Sequence, residues 1–388
     1  MKKGYYNFPT LLFLIAVLLF SGGCTEVNKE KQKNEKKAKE LLNVGVFNGN
    51  GASAVCILET LEALKIDKGI KGRAVTAYDI QNGILDNLDV MIFPGGSGSK
   101  EFNNLGQTAA QKVQDFAKSG KGIVGICAGG YLFATTDGYP SLKIIKAHTY
   151  RFHYNRGRGL IGFELSEKGA KIFPELENRT TSFVQYYDGP IYDVFEPESM
   201  DILATITTDI ATHKGDPKGL TPGKPAFLTS TYGKGKVFVS VGHPEATAGM
   251  RWIVPRMARY VAGKELISYP ETVVRPQINN HEILYFPPTI SFESENFWKL
   301  FSDDDSVVIG AIDNLYSIRS RPSIRWSKGL LRSKSKNVRL KAAGYLVETE
   351  YTDAIPDFKS AVASEKDAET KTILQQDLNK LLLMINEK

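Results

Sequence analysis

The chain has 388 residues, room for about two or three domains and ample to bury a sizeable core. Its 42% apolar and 24% charged residues are the balance of a globular protein and exclude wholesale disorder. Lys and Arg exceed Asp and Glu by 49 to 43, a mild +6 that is far from a nucleic-acid-binding signature. Three cysteines, Cys24, Cys56 and Cys127, are too few for a disulfide scaffold or a Cys-based zinc cluster. The five histidines are scattered and show no HExxH spacing. Neither a metal nor a cofactor is expected.

The N-terminus reads as a targeting segment. Lys2 and Lys3 precede ten consecutive apolar residues, Leu11 to Phe20, too short a run to span a bilayer comfortably. Ser21-Gly22-Gly23-Cys24 follows and resembles the bacterial lipoprotein signal, with Ser21 where that signal usually carries Leu. The resemblance implies lipid attachment at Cys24 and an exported, membrane-anchored chain in the bacterial envelope. An ordinary cleaved signal peptide and an uncleaved anchor are the alternatives. Residues 25–42 are charged and nearly free of apolar groups, so they read as a tether.

From Asn43 the texture changes. Strand-like runs at 44–47, 74–77, 90–93 and 122–126 alternate with helical spacing at 54–64 and 109–116. Two later strands, 226–230 and 236–241, flank a Tyr-Gly-Lys-Gly turn, and 252–261 reads as a closing helix. Alternation at this pitch predicts a doubly wound, mostly parallel α/β sheet over 43–265. Residues 266–330 carry no clear periodicity and are read as a connecting region. Helical patterns at 338–346, 354–363 and 370–385 predict a small α-helical tail over 331–388. Its R-x-x-A-A-x-x-L helix followed by Pro356 resembles a HEAT-type repeat, with a plain helical hairpin as the alternative. From Asn314 to Val347 there is no acidic residue, while nine positions from Arg319 to Lys341 are basic. Such a stretch suits anionic lipid, an acidic envelope partner or a solvated face.

Gly125-Ile126-Cys127-Ala128-Gly129-Gly130 follows a strand and precedes helix-like residues. That is the layout of a nucleophile elbow: small neighbours let the chain turn sharply and expose a nucleophile. The N-terminus of the next helix favours a thiolate at Cys127. The Ala128 N–H would face a developing oxyanion, and the Gly95-Gly96 loop would offer a second donor. A thiol nucleophile needs a base and the base an orienter. Gly242-His243-Pro244-Glu245 supplies both at the end of a strand, with the stiff Pro setting Glu245 against the far nitrogen of His243. Cys56 lies on an amphipathic helix and reads as core. His148, His153, Arg151, Arg156 and Arg158 form a polar stretch that either lines the cleft or is a solvated loop.

The Pro-Gly-Gly loop, the elbow and the late His-Pro-Glu together resemble the class I glutamine amidotransferase domain. Within it the pattern is similar to the biotin-protein ligase N-terminal domain family. Gly125 to Tyr131 matches that family's elbow, Tyr186-Tyr187-Asp188-Gly189-Pro190 partly matches a second motif, and Ala226 to Glu245 matches a third. The resemblance implies a flavodoxin-like α/β fold, Cys127 as nucleophile, His243 as base and Glu245 as its orienter. Gly95, Gly96, Ala128 and Tyr187 would contact substrate.

Three readings follow. One is a Cys-dependent hydrolase or amidotransferase acting on a small-molecule or peptide amide through a thioester. No G-x-x-x-x-G-K-[ST] loop is present, which argues against nucleotide-driven synthesis. The second is a non-catalytic module that keeps the cleft as a ligand pocket. The third is an envelope interaction protein that docks a partner through its C-terminal helices.

Overall fold

The apolar runs seen in the sequence become buried strands. In the computed structural model, which describes Met1, 41–150 and 157–385, β1 (Leu42–Phe47), β3 (Val90–Phe93) and β4 (Gly122–Ile126) are covered on both faces. With β2 (Ile70–Val75) and a later strand (Gly235–Ser240) they form a central parallel sheet. Helices α1 (Ala54–Leu64), α2 (Ala77–Gln81), α3 (Gly98–Lys118) and α4 (Ala128–Phe133) arise from the crossovers between these strands, and the expected α/β architecture is present.

Five further strands were not foreseen in the sequence: β5 (Ala147–Thr149), β6 (Arg158–Leu165), β7 (Ser182–Tyr187), β8 (Tyr192–Val194) and β9 (Met200–Ile206), with helix α5 (Glu167–Ile172) after β6. β6, β7 and β9 extend the sheet beyond its parallel centre, whereas β5 and β8 pair with each other in a separate two-stranded sheet. β10 (Pro225–Tyr232) and β11 (Gly235–Ser240) form the expected hairpin, and α6 (Ile253–Val261) closes the domain. With β12 (Ile283–Leu284) the large sheet runs β12-β6-β9-β10-β11-β4-β3-β1-β2, with β7 paired to β6. The strands on the β10 side pair antiparallel. α1 packs on α6, and α4 on α3.

Residues 266–330, read as connecting sequence, hold three helices: α7 (Pro287–Lys299), α8 (Asp305–Ser317) and α9 (Arg321–Leu330). The reason lies in which faces they bury. α9 buries Arg321, Ser323, Ile324 and Ser327, whereas its Trp326 is exposed. α7 likewise leaves Phe292 and Trp298 outside. An amphipathic pattern that is partly inverted gives no apolar stripe to detect. α10 (Lys336–Glu348), α11 (Ile355–Ser364) and α12 (Ala368–Met384) complete the tail, pairing as α7–α8, α9–α10 and α11–α12. Asp304 and Asp367 cap α8 and α12 by accepting backbone N–H bonds.

Several basic residues of the acid-free stretch are answered inside the chain. Lys328 pairs with Asp353, Arg339 with Glu365, Lys341 with Asp313 and Arg332 with Asp357. Among the described residues no helix is long and apolar enough to cross a membrane. Cys24, the signal after Met1 and residues 25–40 of the tether lie outside the described residues, as do Arg151, His153 and Arg156, while Leu42, read with the tether, is the first residue of β1.

Candidate functional site

The site forms where β4 and β11 end side by side. At the end of β4 the backbone of Cys127 turns into a left-handed conformation, φ 50° and ψ −100°. Such a conformation at a non-glycine residue costs on the order of 1–3 kcal/mol and persists only where neighbours enforce it. Here the Cys127 N–H donates to Ser240 O of β11 at 2.8 Å, and Gly130 N–H donates to Cys127 O at 2.9 Å. Gly129 must lack a side chain, because a Cβ there would stand 2.2 Å from the Phe93 carbonyl oxygen. The Cys127 thiol lies 3.4 Å from the Tyr187 carbonyl oxygen.

The imidazole is positioned by the neighbouring strand. His243 N–H donates to Gln185 O at 2.7 Å, and Thr247 Oγ1 donates to His243 O at 2.7 Å. Pro244 opens a single 3-10 turn, Pro244–Ala246, which swings Glu245 back beside its own histidine. The result is an Nδ1 to Oε1 distance of 2.7 Å between two fully buried side chains. The Cys127 side chain is a hydrogen-bond neighbour of the same ring. Burial alone would depress the imidazolium. Cys127 and Glu245 beside the ring outweigh burial and hold His243 well above the ordinary histidine value, with Arg321 opposing. A thiol, an imidazole and a carboxylate in series is an arrangement that can draw a proton from sulfur.

The structure places the other expected residues around this core. The Gly95-Gly96 loop is pinned by Ser53 N–H to Gly95 O and Ser97 N–H to Gly51 O, each 2.8 Å. A Cβ on Gly95 would stand 2.5 Å from His243 Cε1 and 2.8 Å from Cys56 Sγ. Ala128 is the first residue of α4 and is buried. Tyr187 turns its ring edge-on to His243 at 6.0 Å, and burial pushes its phenol up to about 12. His148 does not join them: its Nδ1 meets Thr135 O at 2.5 Å and its ring stacks on Phe195. Arg158 lies over the Tyr187 ring at 6.0 Å.

Two residues near His243 were not anticipated as part of the site. Cys56 is buried, as a core residue would be, but its sulfur is 3.4 Å from Arg321 Nη2 and it is hydrogen-bonded to His243. Burial raises its thiol, and the Arg321 charge and the His243 bond outweigh burial and bring it below the ordinary value. Arg321, from α9, pairs with Glu59 of α1 and lies 3.5 Å from Glu245 Oε1. Nothing local in the sequence signals this contact, which joins positions 262 residues apart. Ligand-type atoms of Cys56, His243 and Glu245 lie within 4.8 Å of one another. The Arg321 guanidinium stands beside two of the same atoms, Cys56 Sγ and Glu245 Oε1.

The family model described as "Biotin-protein ligase, N terminal" matches residues 42–262. The biotin–protein ligase of Schizosaccharomyces pombe is 32% identical over 93 residues, 23% of this chain and 15% of that protein. The chain therefore spans only a small part of that relative's length. A ThuA-like protein from Parabacteroides merdae is a structural neighbour with TM-score 0.43 and 12% identity, covering 60% of this chain and 94% of that one. The glutaminase domain of Trypanosoma brucei CTPS, solved with bound acivicin, has TM-score 0.39 and 12% identity, covering 59% and 97%.

Proposed function

The chain belongs to the biotin-protein ligase N-terminal family, and on that premise we propose that it is a thiol-dependent amidohydrolase or amidotransferase of the class I glutamine amidotransferase type. The observation that carries this reading is the strained Cys127 elbow facing the buried His243–Glu245 pair. In the proposed reaction the Cys127 sulfur attacks an amide carbonyl carbon and His243 takes the thiol proton. The C–N bond breaks as His243 returns that proton to the leaving amine. Water, or an acceptor amine, then attacks the thioester carbonyl, and its proton passes through His243 back to sulfur. Glu245 holds the ring in the tautomer this requires. Ala128 N–H and the Gly95-Gly96 loop are the proposed oxyanion contacts, with Tyr187 as a wall of the substrate site. The proposed substrate is a small-molecule or peptide amide.

A thiol-directed electrophile such as iodoacetamide tests this reading, because two thiols now flank one imidazole. Cys127 in the Cys56→Ala chain should alkylate at least ~10-fold faster than an unfolded control near pH 7, and His243→Ala should remove that advantage. Labelling that depends on Cys56 and not on Cys127 would refute the assignment. As part of the same reading we propose export and lipid attachment at Cys24. Cys24→Ser should then move the chain from the membrane to the soluble fraction, and unchanged membrane retention would remove the lipid anchor.

A second reading, docking of an envelope partner by the C-terminal helices, draws support from an exposed aromatic face. Phe297, Trp298, Phe301 and Trp326 stack edge to edge across α7 and α9, with Trp298 69% and Phe301 55% exposed. The two readings are compatible, since that face and the thiol site involve different side chains. For the tail over 331–388, α10 to α12, we retain a HEAT-like repeat as a proposal, supported by the packing of α10 and α11 on α12. If the face is a docking surface, Trp298→Ser should abolish partner capture while leaving Cys127 alkylation unchanged.

A further inference from the structure

The match to the family ends at residue 262, yet one side chain within reach of Glu245 comes from residue 321. α9 brings it there at a cost that a helix normally avoids. It turns Arg321, Ser323 and Ser327 inward and leaves Trp326 in solvent. A buried cation is unfavourable unless it is paired and hydrogen-bonded. Arg321 meets both conditions. Its Nε donates to Glu59 Oε2 at 3.0 Å, and its Nη2 bonds the same oxygen. Nη2 also reaches Cys56 Sγ at 3.4 Å and Glu245 Oε1 at 3.5 Å. The guanidinium lies over the Tyr187 ring at 5.6 Å.

The oxygen it approaches matters. Oε1 of Glu245 is the atom that takes the His243 Nδ1 contact at 2.7 Å, while Oε2 has no hydrogen-bond partner among the described residues. Glu245 therefore has two neighbours that fix its orientation, His243 and Arg321, both at Oε1. Without the guanidinium, Glu59 and Glu245 would be two buried carboxylates close together with no fixed cation between them. The chain also bolts α9 in place next to the histidine. Gln185, whose carbonyl oxygen holds His243 N–H, donates its side-chain amide to Arg319 O at 3.0 Å.

We propose that Arg321 is a positioning residue of the thiol site: a guanidinium from the helical tail that braces Glu245 beside His243. The inference rests on the reading of the site given above and adds to it a component from outside the family domain. It makes the tail part of the site, so that the 42–262 region alone would lack the cation its buried carboxylates require. The charged and titratable groups around the ring are Cys56 and Glu59 of α1, Cys127 at the elbow, Tyr187 of β7, Glu245 of the turn and Arg321 of α9. Arg321 is the fixed cation of this set. It opposes protonation of His243, and its removal should favour the imidazolium.

The test uses the full chain and the NMR signal of the His243 ring, assigned by its loss in His243→Gln. In Arg321→Met the imidazolium-to-imidazole ratio at a fixed pH should rise about 10-fold, which moves the titration midpoint up by about one pH unit. Arg321→Lys, which restores a cation without the fork, should bring the ratio most of the way back. If Arg321→Met does not fold, Arg321→Met with Glu59→Gln removes the unpaired carboxylate and is measured instead. A folded variant whose His243 ratio matches the parent's would reduce Arg321 to a clamp between tail and domain and overturn the proposal. The readout needs no turnover. If Cys127 fails the alkylation test while Arg321→Met still moves the His243 signal, the catalytic reading falls and the positioning role stands.

Discussion

The two sides of His243 are built by different physics. On the Cys127 side the geometry is written into the backbone. β4 and β11 are locked by parallel pairing, the elbow is held by main-chain hydrogen bonds, and the absent side chain at Gly129 lets the chain pass Phe93. On the Arg321 side the geometry is written in charge. Glu59, Arg321 and Glu245 come from three distant segments, and their side chains meet in buried ionic contacts. A backbone device depends on local sequence and tolerates changes in surrounding side chains. A charge device depends on every member being present, because a lone buried ion is far more costly than a paired one.

Breaking each side should show this difference. Glu59→Ala leaves Arg321 with Glu245 as a longer carboxylate contact and Cys56 as a weak sulfur acceptor, and removing one member of a buried pair costs about 3–5 kcal/mol. We expect that loss in urea unfolding of the full chain. Gly129→Ala should cost about 3 kcal/mol, the top of the usual overpacking range, because its Cβ meets the Phe93 backbone and not a flexible side chain. Its effect on Cys127 alkylation should nonetheless be the larger, since the shift falls on the elbow itself. If Gly129→Ala unfolded the chain while Glu59→Ala left it intact, the assignment of backbone and charge to the two sides would be reversed.

The same division explains what the sequence revealed. The Gly125-x-Cys127-x-Gly129 spacing and the His243-Pro244-Glu245 run are local patterns, and both mark structures that form within a few residues. β1, β3, β4 and β11 were legible because strands buried on both faces are continuous apolar runs. β2, read at 74–77, lies at Ile70–Val75, where four of its six residues are exposed, and Thr76 and Ala77 cap and begin α2. β6 to β9 were not, since their strands mix polar and apolar residues in an irregular stretch with weak alternation. Cys56 read as core because its neighbours on α1 are apolar, and its burial is real. Its contact with Arg321 spans 265 residues, a distance over which residue spacing carries no information. α7 and α9 escaped notice because they bury polar groups and expose tryptophans, the reverse of the pattern that marks a helix.

The comparison sharpens at Glu101, a carboxyl that neither device answers. It lies in the first turn of α3, just beyond the Gly95-Gly96 loop, is fully buried, and neither carboxyl oxygen has a hydrogen-bond partner among the described residues. Burial, and then the charge of Cys56, holds its carboxyl well above the usual glutamate range. The folded chain thus keeps a proton that the unfolded chain releases near the ordinary value of about 4.3. Below that pH both states are protonated and the group costs nothing through ionisation. As pH rises from there toward the folded value, the unfolded state is favoured and stability falls. Glu101→Gln removes the ionisation while keeping the shape. Its stability should match the parent's near pH 4 and exceed it by about 1 kcal/mol or more at pH 8, because each tenfold change in a protonation equilibrium is worth about 1.4 kcal/mol. Urea unfolding at the two pH values measures the difference. A gap that is the same at both would mean that Glu101 is ionised in the folded chain, and that the charge side of the site extends across the glycine loop to a partner cation.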